Sequence, residues 1–97
     1  MLIVIDFQND ADIIEVPDYI IGDLKTYQYQ FDQWLYNKET NHLYWTYRNG
    51  EKFGCRYRSE AFVEWLNLFP LNNSYQKASV KEQNITSYDL SFPRLNF

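Results

Sequence analysis

Leu43-Tyr44-Trp45-Thr46-Tyr47-Arg48-Asn49-Gly50-Glu51-Lys52-Phe53-Gly54-Cys55-Arg56-Tyr57 reads as two aromatic-rich runs joined by Asn-Gly. That dipeptide suits a type I′ turn, whose two central residues both need positive φ, so the stretch predicts a β-hairpin over about 43–57. A two-residue turn sets Arg48 against Glu51 and Tyr47 against Lys52. Continuing the register, Thr46 faces Phe53, Trp45 faces Gly54 and Tyr44 faces Cys55. A large ring opposite a residue without a side chain is a sensible cross-strand pair. Aromatics fall on both faces of this hairpin, which predicts cover on part of each side.

Outward from the hairpin, hydrophobic spacing changes from two to three and four. Phe62, Trp65, Leu66 and Phe69 form one helical stripe after Ser59, which suits an N-cap with Glu60 in the first turn. Pro70 stops this helix of about 60–69. On the other side, Ile20, Leu24, Tyr27, Phe31, Trp34 and Leu35 place a helix over about 18–38, opened by Pro17 and Asp18. Such a helix is about 30 Å long. Its opposite face carries Lys25, Tyr29, Asp32 and Tyr36, a surface suited either to cover by another element or to contact with a partner.

The termini supply the remaining sheet. Leu2-Ile3-Val4-Ile5 is a continuous β-branched run that reads as a buried strand, and Ile13 to Val16 reads as a second. Residues 74–83 fit helix or coil, while Ile85 to Phe92 alternates loosely enough for an edge strand ending at Pro93. The chain is thus expected to be a single α+β domain over 1–97. Two amphipathic helices would pack on one face of a small antiparallel sheet with the hairpin at its centre, and 71–97 would dock as a C-terminal segment. Phe31, Trp34, Leu35, Phe62, Trp65 and Leu66 are its expected shared core.

Composition narrows the function classes. Aromatic residues make up 20% of the 97, enough to fill a small core with a few large rings and leave some tyrosines outside. One cysteine excludes an internal disulfide, and one cysteine with one histidine argues against structural zinc. The opening Met-Leu-Ile-Val-Ile-Asp has no basic leader and no run long enough to span a bilayer, which points to a cytoplasmic protein without membrane contact. Formal charge is −4, and it is lopsided: Asp6, Asp10, Asp12, Glu15, Asp18 and Asp23 all precede the first base, Lys25. That stretch suits either a solvated surface or a patch that meets a basic partner.

Leu2-Ile3-Val4-Ile5-Asp6-Phe7-Gln8-Asn9-Asp10 resembles the first strand of the isochorismatase-like cysteine hydrolases and its Asp-x-Gln-Asn-Asp end. The resemblance implies Asp6 acting with a lysine and a nucleophilic cysteine, for which Cys55 is the sole candidate. It covers nine residues, and the remainder departs from that family: the chain is about half the usual length and lacks an alternating βα series. Cys55 lies inside a hairpin strand, where it reads better as a small hydrophobe. Paired carboxylates of glycosidase type have no distinguishing spacing, Asp6, Asp10 and Asp12 lack the frame of a calcium loop, and no glycine-rich phosphate cradle exists. No catalytic residues, cofactor or metal are expected.

A small acidic, aromatic-rich chain without catalytic machinery suits a protein that binds another protein. The concrete version is a bacterial immunity protein that covers the active site of a basic toxin, a nuclease for instance, through Asp10, Asp12, Glu15, Asp18, Tyr29, Asp32 and Tyr36. The alternative is RNA or single-stranded nucleic-acid binding by the hairpin through Tyr47, Arg48, Lys52, Arg56 and Arg58, against which the negative charge weighs.

Overall fold

The computed structural model describes residues 1–97. Strands β1 (Leu2–Asp6) and β2 (Ala11–Glu15) pair antiparallel across a tight connection. A 3₁₀ segment (Asp18–Asp23) leads into α1 (Leu24–Leu35). The hairpin β3 (Trp45–Arg48) and β4 (Glu51–Cys55) precedes α2 (Ser59–Leu68), and β5 (Ser79–Ile85) and β6 (Arg94–Asn96) complete the chain. The fold is α+β: two helices and a small, mostly antiparallel sheet, with the hairpin as a separate two-stranded sheet.

The main sheet has the order β5-β2-β1-β6, in which β6 runs parallel to β1. Both open sides of the β1–β2 pair are therefore taken by C-terminal strands, and the hairpin is displaced from the centre where its sequence had suggested it. Residues 74–83, expected as helix or coil, supply most of β5, whereas of Ile85 to Phe92, expected to alternate as a strand, only Ile85 belongs to one and 86–93 link β5 to β6.

Alternation along β1 and β2 divides the apolar residues between the two sheet faces. Ile3, Ile5 and Ile14 join Phe31, Leu35, Phe62, Trp65 and Leu66 in the main core, so both helices cover one face. Val4, Ala11 and Ile13 form a smaller cluster on the other. Trp34 packs against the main core while staying half-buried, outside the fully enclosed set.

Three local expectations change. The first helix is shorter than 18–38, because Asp23 leaves helical geometry (φ −121°, ψ 21°) after Gly22, and the turn before it is 3₁₀. Ile20 and Leu24 still face inward, since a 3₁₀ turn and an α turn differ by less than one residue. Ser59 is the first residue of α2 rather than its cap; the backbone N–H of Arg58 bonds to Glu60 Oε1 instead. In the hairpin, Asn49 and Gly50 carry φ of 53° and 77°, and Arg48–Glu51 and Tyr47–Lys52 pair as the turn dictates. Beyond them a bulge leaves Phe53 unpaired, so Thr46 meets Gly54 and Trp45 meets Cys55.

Trp45 explains that slip. Its indole N–H donates to the Thr40 carbonyl at 2.7 Å, its ring stacks on His42 at 5.1 Å, and Lys52 Nζ lies 5.3 Å above it. The bulge keeps Trp45 buried while the exposed Phe53 is turned outward.

Candidate functional site

The seven residues expected to meet a basic partner do not form one surface. Alternation in β2 puts Asp12 on the same side as Ile14, under the N-terminus of α2, where its side chain is fully buried. Arg58 Nη2 bonds Asp12 Oδ1 at 2.5 Å, and the same oxygen accepts the Asn84 backbone N–H. Ser59 donates both its N–H and its hydroxyl to Oδ2. Burial pushes the Asp12 carboxyl up, but the bonds from Arg58, Ser59 and Asn84 outweigh it and hold the group below the usual carboxylate range. Asp12 is consequently a structural acid, and its place in a contact surface is withdrawn.

The other N-terminal acids are mostly engaged. Asp10 accepts from Arg58 Nη1 at 2.7 Å, Glu15 pairs with Lys81 at 3.3 Å, and Asp18 lies 3.4 Å from the N-terminal amine. Asp10 precedes β2 and Glu15 ends it, so the length of the strand separates these two acids. The sequence signal for the different fates of Asp12 and Glu15 was the period of two, which sends them to opposite faces of the sheet.

Of the expected residues, Tyr29 and Asp32 lie on α1 and Tyr36 follows its last residue. Tyr29 and Tyr36 are 64% and 53% exposed, and Tyr29 Oη accepts a bond from Gln33 one turn on. Asp32 lies between them in sequence, half-buried, with none of the chain's ion pairs reaching it. Burial pushes its carboxyl up. Burial also raises the Tyr36 hydroxyl, with Cys55 and Asp32 adding to the shift, and Tyr57 is raised by burial and by Tyr36 and Asp32. The Cys55 thiol donates to the Leu35 carbonyl at 3.4 Å and the Tyr57 ring meets Phe31 at 5.7 Å, which brings both residues to the C-terminal half of α1. Cys55 and Tyr57 come from the hairpin side and were not expected there.

No protein-family model, no curated protein and no solved structure matches this chain.

The hairpin's basic set is divided as well. Lys52 Nζ donates to the carbonyls of Lys38 and Thr40 and to Asn41 Oδ1, which folds it back on the loop after α1. Arg58 is committed to Asp10 and Asp12 and lies 4.3 Å over the Phe7 ring. Only Tyr47, Arg48 and Arg56 of the five remain exposed, with Arg48 stacked over Phe53 at 5.2 Å. Lys52 and Arg58 are thereby removed from a nucleic-acid face by their internal partners.

The resemblance to cysteine hydrolases also fails on geometry. Asp6 accepts from the Gln8 backbone and the Tyr88 hydroxyl, whereas Cys55 donates to the Leu35 carbonyl at the end of α1. Burial raises the Cys55 thiol, the opposite of activation. No three His, Cys, Asp or Glu side chains converge as a ligand set for a metal ion. No helix is long and apolar enough to cross a membrane.

Proposed function

We propose that this chain is a cytoplasmic, non-catalytic inhibitor that binds a basic protein through the outer face of α1. The observation that carries the reading is Asp32: a half-buried carboxyl outside every ion pair, lying in sequence between two exposed tyrosines, its pKa raised by burial. Tyrosine supplies large contact area at low entropic cost, and a partially desolvated carboxylate gains most when a lysine or arginine is brought to it. An immunity protein blocking a bacterial nuclease toxin fits this chemistry, because the toxin's substrate channel must be positive. Tyr29, Asp32 and Tyr36 are the contact residues in this reading; exposed Glu15 and Asp18 steer the partner, and Asp10 and Asp12 hold the fold.

The test is capture from the native host with nuclease treatment, comparing the natural chain with Asp32→Asn and Tyr36→Ala. A basic polypeptide retained by the natural chain and lost by both variants supports the reading. Its affinity would then weaken as pH falls and Asp32 takes up its proton. Capture unaffected by both variants removes α1 from the interface. Recovery of nucleic acid that depends on Arg48 and Arg56 transfers the function to the hairpin.

A further inference from the structure

The sheet face away from the helices is incompletely covered. Val4, Ala11 and Ile13 are buried there beneath Leu2, Ile85, Tyr88 and Phe92, which remain partly open. Residues 86–93 cross this face, fastened where the Tyr88 hydroxyl donates to Asp6 at 2.9 Å and accepts from Arg94 at 3.2 Å. Beside this strap lies a mostly apolar groove of about 470 Å³, walled by Leu2, Ile13, Tyr88 and Phe92. Lys81, Glu82 and Asp89 stand on its rim.

Charge on the rim selects an occupant. Lys81 is tied to Glu15 at 3.3 Å, which leaves Glu82 and Asp89 exposed without a cation. Asp89 Oδ1 accepts the Ser91 backbone N–H at 2.9 Å, but neither carboxylate is in an ion pair, and an apolar slot beside two such negative charges favours an apolar anchor carrying positive charge on either side. Tyr88 and Phe92 offer ring edges and faces, so an aromatic anchor gains more than an aliphatic one. Strand addition at the neighbouring edge is the competing mode, and β5 opposes it. Two register shifts interrupt its pairing with β2, and such bulges spoil a regular hydrogen-bonding edge.

We propose that this groove is a docking site for a protein partner that inserts one aromatic side chain flanked by lysine or arginine. It lies on the opposite side of the sheet from α1, so it stands whether or not the α1 reading does.

The experiment is a titration of the isotope-labelled chain with capped tripeptides, followed by amide shifts. A lysine-tryptophan-lysine peptide is compared with its glutamate-flanked and serine-centred counterparts. The expected result is saturable shifts confined to Leu2, Ile13, Lys81, Tyr88 and Phe92, with the basic peptide binding about fivefold more tightly than the acidic one, as two surface ion pairs allow. The exposed double variant Glu82→Lys with Asp89→Lys should reverse that preference, its spectrum first verifying the fold. Equal binding of both charged tryptophan peptides, shifts centred on α1, or no saturable binding would each overturn the proposal.

Discussion

Asp12 on β2 holds the first turn of α2 by accepting both the backbone N–H and the hydroxyl of Ser59. These residues lie 47 positions apart, and their contact locks the N-terminus of a helix to the middle of the sheet. A carboxylate there also complements the positive end of the helix dipole. Arg58 closes the arrangement by bridging Asp12 and Asp10.

Asp12→Ala leaves the Ser59 donors without their acceptor and Arg58 with Asp10 alone, and should cost about 3 kcal/mol. That is a large share of the roughly 5–15 kcal/mol available to a domain. Asp12→Asn keeps one acceptor oxygen and should cost less. Urea midpoints of the two variants check the order; an unchanged midpoint for Asp12→Ala would deny the lock.

Acid should weaken the fold through Asp6 and Asp12. The Asp6 carboxyl is held below its ordinary range by the Gln8 N–H, then by the Tyr88 hydroxyl, and Arg94 adds to this. With both folded pKa values depressed, the unfolded chain binds more protons as pH drops below about 4, so stability present above that point is lost through the folded pKa values. Asp32, raised by burial, has the opposite sign: its carboxylate disfavours the native state above its folded pKa. Melting temperatures from neutral pH to strong acid should fall steeply for the natural chain and less steeply for Asp12→Asn. Asp32→Asn should raise the neutral-pH melting temperature.

The two core tryptophans should not be equivalent. Trp65 is 4% exposed and stacks on Phe62 with centroids 6.2 Å apart, so Trp65→Ala opens a cavity among rings. Its cost should be about 3–5 kcal/mol. Trp34 sits half-buried between Phe31, His42 and Phe69, and its truncation should cost about 1–2 kcal/mol because part of its area is already wet. Denaturant titration of both variants decides this, and equal losses would contradict it.

Cys55 should be a sluggish nucleophile. Its thiol donates to the Leu35 carbonyl at 3.4 Å and its pKa is pushed up by burial, so little thiolate exists near neutrality. Iodoacetamide should modify the native chain much more slowly than the urea-unfolded chain. Comparable rates would mean that the thiol is open and activated.

Local signals in the chain decided a good deal. Asn49-Gly50 set the turn and the two nearest cross-strand pairs, because the ease with which Asn and Gly take positive φ is a local steric property. The stripes Ile20, Leu24, Phe31, Leu35 and Phe62, Trp65, Leu66 set which helix faces are buried, since periodicity needs no knowledge of the partner. Tyr29 and Tyr36 were placed outside by the same arithmetic.

Tertiary structure decided what depends on distant competition. The hairpin stands apart from the main sheet, whose centre is β1–β2 and whose flanks are taken by β5 and β6; their largely polar sequences gain their order from the β1–β2 edges that they cover. Its register slipped at Phe53 because Trp45 had a better site against Thr40 and His42 than across from Gly54. Six N-terminal acids looked like one patch along the chain. A pleated strand and residues from α2 and β5 made one of them, Asp12, a fully buried acceptor, and left Asp32, from elsewhere in the chain, half-buried and outside every ion pair. Charge in sequence is additive, but the fate of each charge is fixed by which neighbours folding brings to it.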